Sequence, residues 1–221
     1  MLALPENDEH GHHEDEDEGR VQVIHSGILR DRYIPGFMSL TPTAAAALRA
    51  ELLARVAADQ KARTEMPVRP TREQITVLMS IDRANTARMR QLITVHGWPG
   101  HAMVGEDGSN AAWLLIQHGP DDLQEQALVL LGDAVRRGDV SPANLAYLTD
   151  RVRMHRGEPQ LYGTQYRSTG DSGLELYQVA DPELLDERRA SVGLGPHAEY
   201  DARLRAFHAR KDDDDRPAGR R

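Results

Sequence analysis

Apolar residues in this chain of 221 residues return every three or four positions, and start and stop signals cut that period into short lengths. Such a pattern buries one face per segment and leaves helices packing on helices as the economical solution. Thr41 precedes Pro42, an N-cap followed by a residue with no N–H to lose, and Leu48, Leu52 and Val56 then form a stripe running to about Arg63. Thr71-Arg-Glu-Gln74 has the form of a capping box, and the helix it opens runs to His96 with Gly97 placed to end it. Its stripe is Ile75, Leu78, Asp82, Asn85, Met89, Leu92 and His96, so a carboxylate and an amide sit inside an apolar row. Further helices are predicted over about Ser109–His118, with Ala111, Leu115 and His118 on one side, and over about Asp121–Arg137, with Leu123, Ala127, Leu130, Leu131 and Ala134 inward. Ser141-Pro142 opens the next, which carries Leu145, Leu148 and Val152 inward and Asp150 and Arg151 at its margins. Asp181-Pro182 starts a sixth that Gly193 closes, and Pro196 starts a last one bearing Tyr200, Leu204 and Phe207.

The period changes once. Residues 161–167 and 174–179, separated by the turn-rich 168–173, read as two strands of a β-hairpin. The expected fold class is mainly α (α+β): a bundle of six to seven helices with one β-hairpin near 160–180. No strand–helix–strand alternation is present, which argues against a doubly wound sheet. Residues 1–20 read as an acidic, histidine-bearing disordered tail, 21–40 as a surface strap or short strand, 41–208 as one helical domain, and 209–221 as a charged tail.

Charge and cysteine usage narrow the function classes. Eight of the 35 acidic residues crowd into the first 20 positions against Arg20 alone, so most of the net charge of -8 belongs to that tail. The body is near neutral and offers no broad basic face for nucleic acid. With no cysteine, disulfides, thiolate metal sites and thiol nucleophiles are excluded. No run of about eighteen apolar residues predicts a membrane span, and the acidic opening does not resemble a signal peptide; the chain reads as cytoplasmic. Phosphate-loop, dinucleotide, metalloprotease, nucleophile-elbow and EF-hand signatures are missing, so no cofactor is implied.

Candidate chemistry gathers around His96–Gly119, where Gly97-Trp98-Pro99 stops one helix, a glycine-rich loop follows, and AAWLLIQH begins another. The loop VGEDGSN would place free N–H groups before a helix, where an anion can bind. His118 is the leading candidate for proton transfer, since a neutral imidazole can accept or give a proton near pH 7. Asp150 or Asp82 would orient it, and Arg151 or Arg189 would hold an anionic group. Gln160, Tyr162 and Thr164 share one face of the first predicted strand, with Gln165 and Gly163 on the other. A glycine there marks a bulge or a close approach. A histidine metal site would draw on His96, His101 and His118 completed by Asp82, and the tail residues His10, His12 and His13 could hold a cation weakly.

The ordered motifs GWP (97–99), VGEDG (104–108), AAWLLIQH (111–118), LAYLTDRV (145–152), PQLYGTQ (159–165), DP (181–182), ERRASVGL (187–194) and AEY (198–200) resemble an uncharacterised bacterial, mainly actinobacterial, family known as a domain of unknown function. The resemblance spans roughly 45–205. Residues on its pattern are Asp82, Asn85, Trp98, Gln117, His118, Asp150, Arg151, Gln160, Tyr162, Gly163, Gln165 and Arg189, while His101, His155, Gly119 and the acidic leader depart from it. It implies where a site lies and carries no reaction with it.

Three functional expectations follow. In the first, the chain is an enzyme of hydrolase, lyase or isomerase type. His118, Asp150 and Tyr162 are catalytic, and Asp82, Asn85, Trp98, Gln117, Arg151, Gln160, Gln165 and Arg189 bind a small polar or anionic molecule or a peptide. In the second, the same residues form a structural network in a binding module. In the third, histidines and carboxylates hold a metal. Neither nucleic acid nor membrane is an expected partner.

Overall fold

The expected caps are built. The computed structural model describes residues 40–67, 69–169 and 173–214. Helix α1 (Pro42–Thr64) opens on Thr41, whose hydroxyl accepts from the Ala44 N–H at 3.3 Å. Helix α2 (Arg72–His96) opens on the reciprocal box of Thr71 and Gln74, and Gly97 closes it at a φ of 72°. Helices α3 (His101–Gln117), α4 (Asp121–Arg136) and α5 (Pro142–His155) follow, α5 capped by the Ser141 hydroxyl. Strands β1 (Tyr166–Ser168) and β2 (Leu174–Leu176) pair antiparallel, with Arg167 opposite Glu175. A 3-10 turn (Pro182–Leu184) leads into α6 (Leu185–Ser191), and α7 (His197–Asp214) ends the described chain. Among the described residues the architecture is therefore seven helices and one two-stranded hairpin, mainly α as expected. The tail expected over 1–20 and all but the last residue of the strap expected over 21–40 lie outside the described residues, and α7 continues past the expected boundary at 208.

Helix α1 packs most extensively on α3, α4 lies along α5, and α2 leans on both α1 and α3. Leu48 and Leu52 of α1, Met89, Leu92 and Ile93 of α2, Ala112, Leu115 and Ile116 of α3, Leu123 and Leu131 of α4, and Leu148 and Val152 of α5 are buried together. Each large side chain removed from water in this way contributes about 1.5–3 kcal/mol. One expected stripe position fails. Ile75 is 42% exposed, as its neighbours Val77 and Met79 are at 52%, because the first turns of α2 stand clear of the helices that bury Asn85, Met89 and Leu92.

Two local expectations are corrected. The glycine-rich loop before Ser109 is instead part of α3, which is helical from His101 and interrupted only at Gly105, with φ 72° and ψ 170°. At that glycine one helical segment gives way to a second across a kink, a backbone conformation that glycine adopts readily. Its neighbour Asp107 accepts the Gly108 N–H at 2.8 Å and holds Arg49 of α1 through two further bonds, so this segment locks α1 to α3.

The second correction concerns 160–165, expected as strand. The segment turns around Asp150, which is fully buried and not at the margin of α5. One carboxylate oxygen accepts the Leu161 N–H at 2.6 Å and the Tyr162 N–H at 3.0 Å, and the other accepts the Thr164 N–H and hydroxyl, both at 3.0 Å. Gly163 makes the turn possible. Its φ is 65°, and an added Cβ would lie 2.8 Å from the His197 ring. Regular pairing thus begins only at Tyr166, although the Gln160 N–H still reaches the Gln178 carbonyl at 2.8 Å. An aromatic series ties this part to the helices: Trp113 meets Tyr147 edge-on at 5.7 Å, Tyr147 meets Tyr200 at 6.1 Å, and Tyr200 meets Tyr166 at 6.2 Å.

Asp150→Ala strands three backbone N–H groups away from water, and each such group costs about 1–3 kcal/mol. Urea denaturation should show a loss of about 3 kcal/mol or more with the helical circular dichroism retained. A loss below about 1 kcal/mol would remove Asp150 as the organiser of this segment.

Candidate functional site

The stripe of α1 continues past Val56 to Asp59, seven residues beyond Leu52 and so on the same face. Asp59 is fully buried against α3. A carboxylate removed from water needs charged or hydrogen-bonding partners, and Asp59 has three. His118 Nδ1, at the C-cap of α3, lies 2.9 Å from Oδ2. Arg63, one turn along α1, places Nε 3.2 Å from both oxygens, and Gln60 Nε2 donates to Oδ2 at 3.0 Å. Burial pushes the Asp59 carboxyl up, but His118 and Arg63 outweigh it and hold the group below its ordinary range. Hydrogen bonding to His118 is the larger of the ring's two effects on the carboxyl, and its charge adds to it. The imidazole keeps 10% of its side-chain surface exposed, and because Nδ1 is sealed, that surface belongs to the rest of the side chain.

Arg63 also reaches across to α2, where its Nη2 pairs with Asp82. Burial, helped by the charge on Asp59, raises the Asp82 carboxyl despite that guanidinium. One turn further along α2, buried Asn85 accepts from Arg55 Nη1 at 3.3 Å while its own Nδ2 has no partner. Arg55 bonds in turn to Glu51, which Arg88 grips at 2.8 and 2.7 Å. The Arg88 hydrogen bond chiefly, with Arg55, brings the Glu51 carboxyl down to about 2 against the cost of burial.

Beside His118, Gln117 is 3% exposed, and its Oε1 accepts from Arg151 Nε at 2.5 Å while its Nε2 is buried without a partner. Arg151 therefore rests against a neutral amide. Burial lowers the guanidinium pKa, and Arg63 is near enough for its positive charge to add to the effect. The 160–165 segment approaches the same region through Tyr200, whose hydroxyl donates to the Thr164 carbonyl at 3.2 Å and whose ring is coupled electrostatically to Arg151.

The remaining expected residues divide by what they touch. Gln160 is fully buried, and its amide is spent on the Gln165 and Tyr177 carbonyls and the Gln165 N–H. Gln165 donates to Thr164 Oγ1 at 2.9 Å. Tyr162 gives its N–H to Asp150 and its carbonyl to Arg189 Nη1 at 2.7 Å, and burial, with the Asp150 charge, raises its phenol pKa. Arg189 also holds the Gly195 carbonyl at 2.7 Å and lies 5.2 Å over the Tyr200 ring. Trp98 is buried with its indole N–H unpartnered.

Asp150 is thus committed to the 161–164 backbone, and the carboxylate actually beside His118 is Asp59. His96, His101 and His118 do not assemble with Asp82 into a donor set: among the described residues no group of three such side chains is placed to hold a metal. His155 pairs instead with Asp121 at 2.8 Å, and His10, His12 and His13 lie outside the described residues. The sequence reading missed Asp59 and Arg63. Their signal was the heptad step from Leu52 to Asp59 and the four-residue step to Arg63.

A family model described as a family of unknown function matches residues 46–211, which includes every residue of this cluster. No curated protein and no solved structure matches the chain. Among the described residues no helix is long and apolar enough to cross a membrane.

The Glu51 carboxyl is depressed on folding from its ordinary 4.5 to about 2, so its contribution is complete above pH 4.5 and is lost as pH falls toward 2. Glu51→Gln should therefore be less stable than the parent by about 1 kcal/mol at pH 7, since the pair is part-exposed. Urea midpoints measured at intervals from pH 7 to 2.5 should show that gap closing below pH 4.5. A gap independent of pH would contradict the assignment.

Proposed function

We propose that this chain, which belongs to the family of unknown function DUF6624, is an enzyme in which Asp59 and His118 act as an acid–base pair on a small anionic molecule. The observation that carries the reading is the fully buried Asp59 carboxylate 2.9 Å from the Nδ1 of a partly exposed imidazole. A carboxylate on one ring nitrogen fixes tautomer and orientation and stabilises the imidazolium formed in proton transfer, leaving the opposite nitrogen for substrate. Asp59 takes the orienting role first expected of Asp150 or Asp82. Gln117 precedes His118 in the chain and meets Arg151 through its amide oxygen, and this pair would bind the anionic group. Tyr162 is retained as a proton donor of the same reaction, with Asn85 and Gln165 as polar contacts. Hydrolysis, elimination and isomerisation all fit one positioned base, and the chain would work in the bacterial cytoplasm.

A structural reading has its own support. Asp150, Gln160 and Arg189 satisfy backbone groups of one segment and have little left for a ligand. In a non-catalytic binding module the Asp59–His118 pair would likewise serve only to join α1 to α3.

The purified chain should turn over a member of a panel of small anionic esters, lactones and hydroxy acids. His118→Ala should lower that rate about 10²–10⁴-fold, and His155→Ala, at a residue paired with surface Asp121, should leave it within twofold. Turnover that persists in His118→Ala would end the reading. If the panel shows no turnover and His118→Ala merely loses about 1–3 kcal/mol of stability, the structural reading takes its place.

A further inference from the structure

Buried guanidinium groups in this chain are balanced in different ways. Arg63 is shared between the Asp59 and Asp82 carboxylates. Arg189 spreads its charge over two carbonyls and the face of Tyr200, and the residue whose carbonyl it holds gives its N–H to Asp150. Arg151 has neither arrangement. Its one hydrogen bond is from Nε to the Gln117 amide oxygen, and no carboxylate of a described residue pairs with it. A charge taken from water without a counter-ion is costly, and the cost persists unless something outside the chain offsets it. The residue keeps part of its surface exposed, so solvent and solutes can reach it.

A second, independent feature points the same way. Gln117 is 97% removed from solvent, yet its Nε2 donor is buried without a partner, on the same amide whose oxygen contacts Arg151. An unused neutral donor beside an unpaired cation is the arrangement an oxyanion completes. Its outer oxygens can take the free guanidinium edge in two parallel bonds and the amide N–H in a third. The charge available is one. Arg63 already serves two carboxylates, so a single positive group is left to balance the ligand, which suits a monoanionic carboxylate better than a doubly charged phosphate ester.

We infer that Arg151 and Gln117 form a binding site for the carboxylate group of a small organic acid, next to His118. The inference rests on the enzyme reading for its role in turnover, and its binding claim is tested apart from activity.

Isothermal calorimetry on the full chain, with ionic strength held by chloride, would compare acetate, propionate and benzoate with inorganic phosphate and sulfate. Saturable binding of at least one carboxylate is expected, weakened at least tenfold in Arg151→Gln, with phosphate and sulfate weaker than that carboxylate. Because the variant could fail to fold, the parent also carries the test: the carboxylate should shift the NMR signals of the Arg151 Nε and Gln117 side-chain amide. Absence of saturable carboxylate binding, unchanged affinity in a folded Arg151→Gln, unmoved signals, or tighter binding of phosphate or sulfate would each overturn the inference. Carboxylate binding without turnover supports this site and removes the enzyme reading. Turnover of a substrate bound independently of Arg151 does the reverse.

Discussion

A carboxylate inside a helix interface is the constraint on which the polar centre depends. Asp59 lies among residues that bury Leu48 and Leu52 on the same helix, where a charge could not remain alone. Its presence obliges α3 to end with an imidazole at that level and α1 to supply a guanidinium one turn further on. Arg63 in turn draws Asp82 of α2 toward the same point. Three helices thus meet around one group, in an interface that packing and the Arg49–Asp107 and Glu51–Arg88 pairs also hold.

Asp150 shows the contrasting use of the same chemistry. Burial pushes its carboxyl up, and the N–H donors of Leu161, Thr164 and Tyr162 pull against it. These donors are backbone groups, so what Asp150 determines is chain path. Asp59 is met by side chains, and both His118 and Arg63 retain exposed surface. Two buried aspartates on neighbouring parts of the fold therefore diverge in role according to whether their partners can move and reach solvent.

How much of this was legible in the sequence depends on how local its cause is. The caps at Thr41, Thr71 and Ser141 and the stop at Gly97 are decided within a few residues, and all were read correctly. The segment 101–108 was misread because its glycines suggested a loop, whereas only Gly105 leaves helical geometry. The alternation in 160–165 imitates a strand, but its path is set by Asp150, more than ten residues earlier and on another element. His118, Gln117 and Arg151 were singled out from type and position; Gln117 meets Arg151, while His118 meets Asp59. Asp59 was passed over because the stripe was followed only to Val56. What was unreadable was pairing: sequence spacing shows which face a residue occupies but not which distant face it meets.

The placement of Tyr200 has a consequence for the far end of the chain. This residue belongs to α7, which supplies none of the proposed chemistry, yet its hydroxyl fixes Thr164 and its ring supports Arg189. Tyr166 is held by the same helix through His197 and Asp201. The closing helix acts as a keystone: shortened before His197, the chain would keep every reactive group and lose the architecture that aligns them.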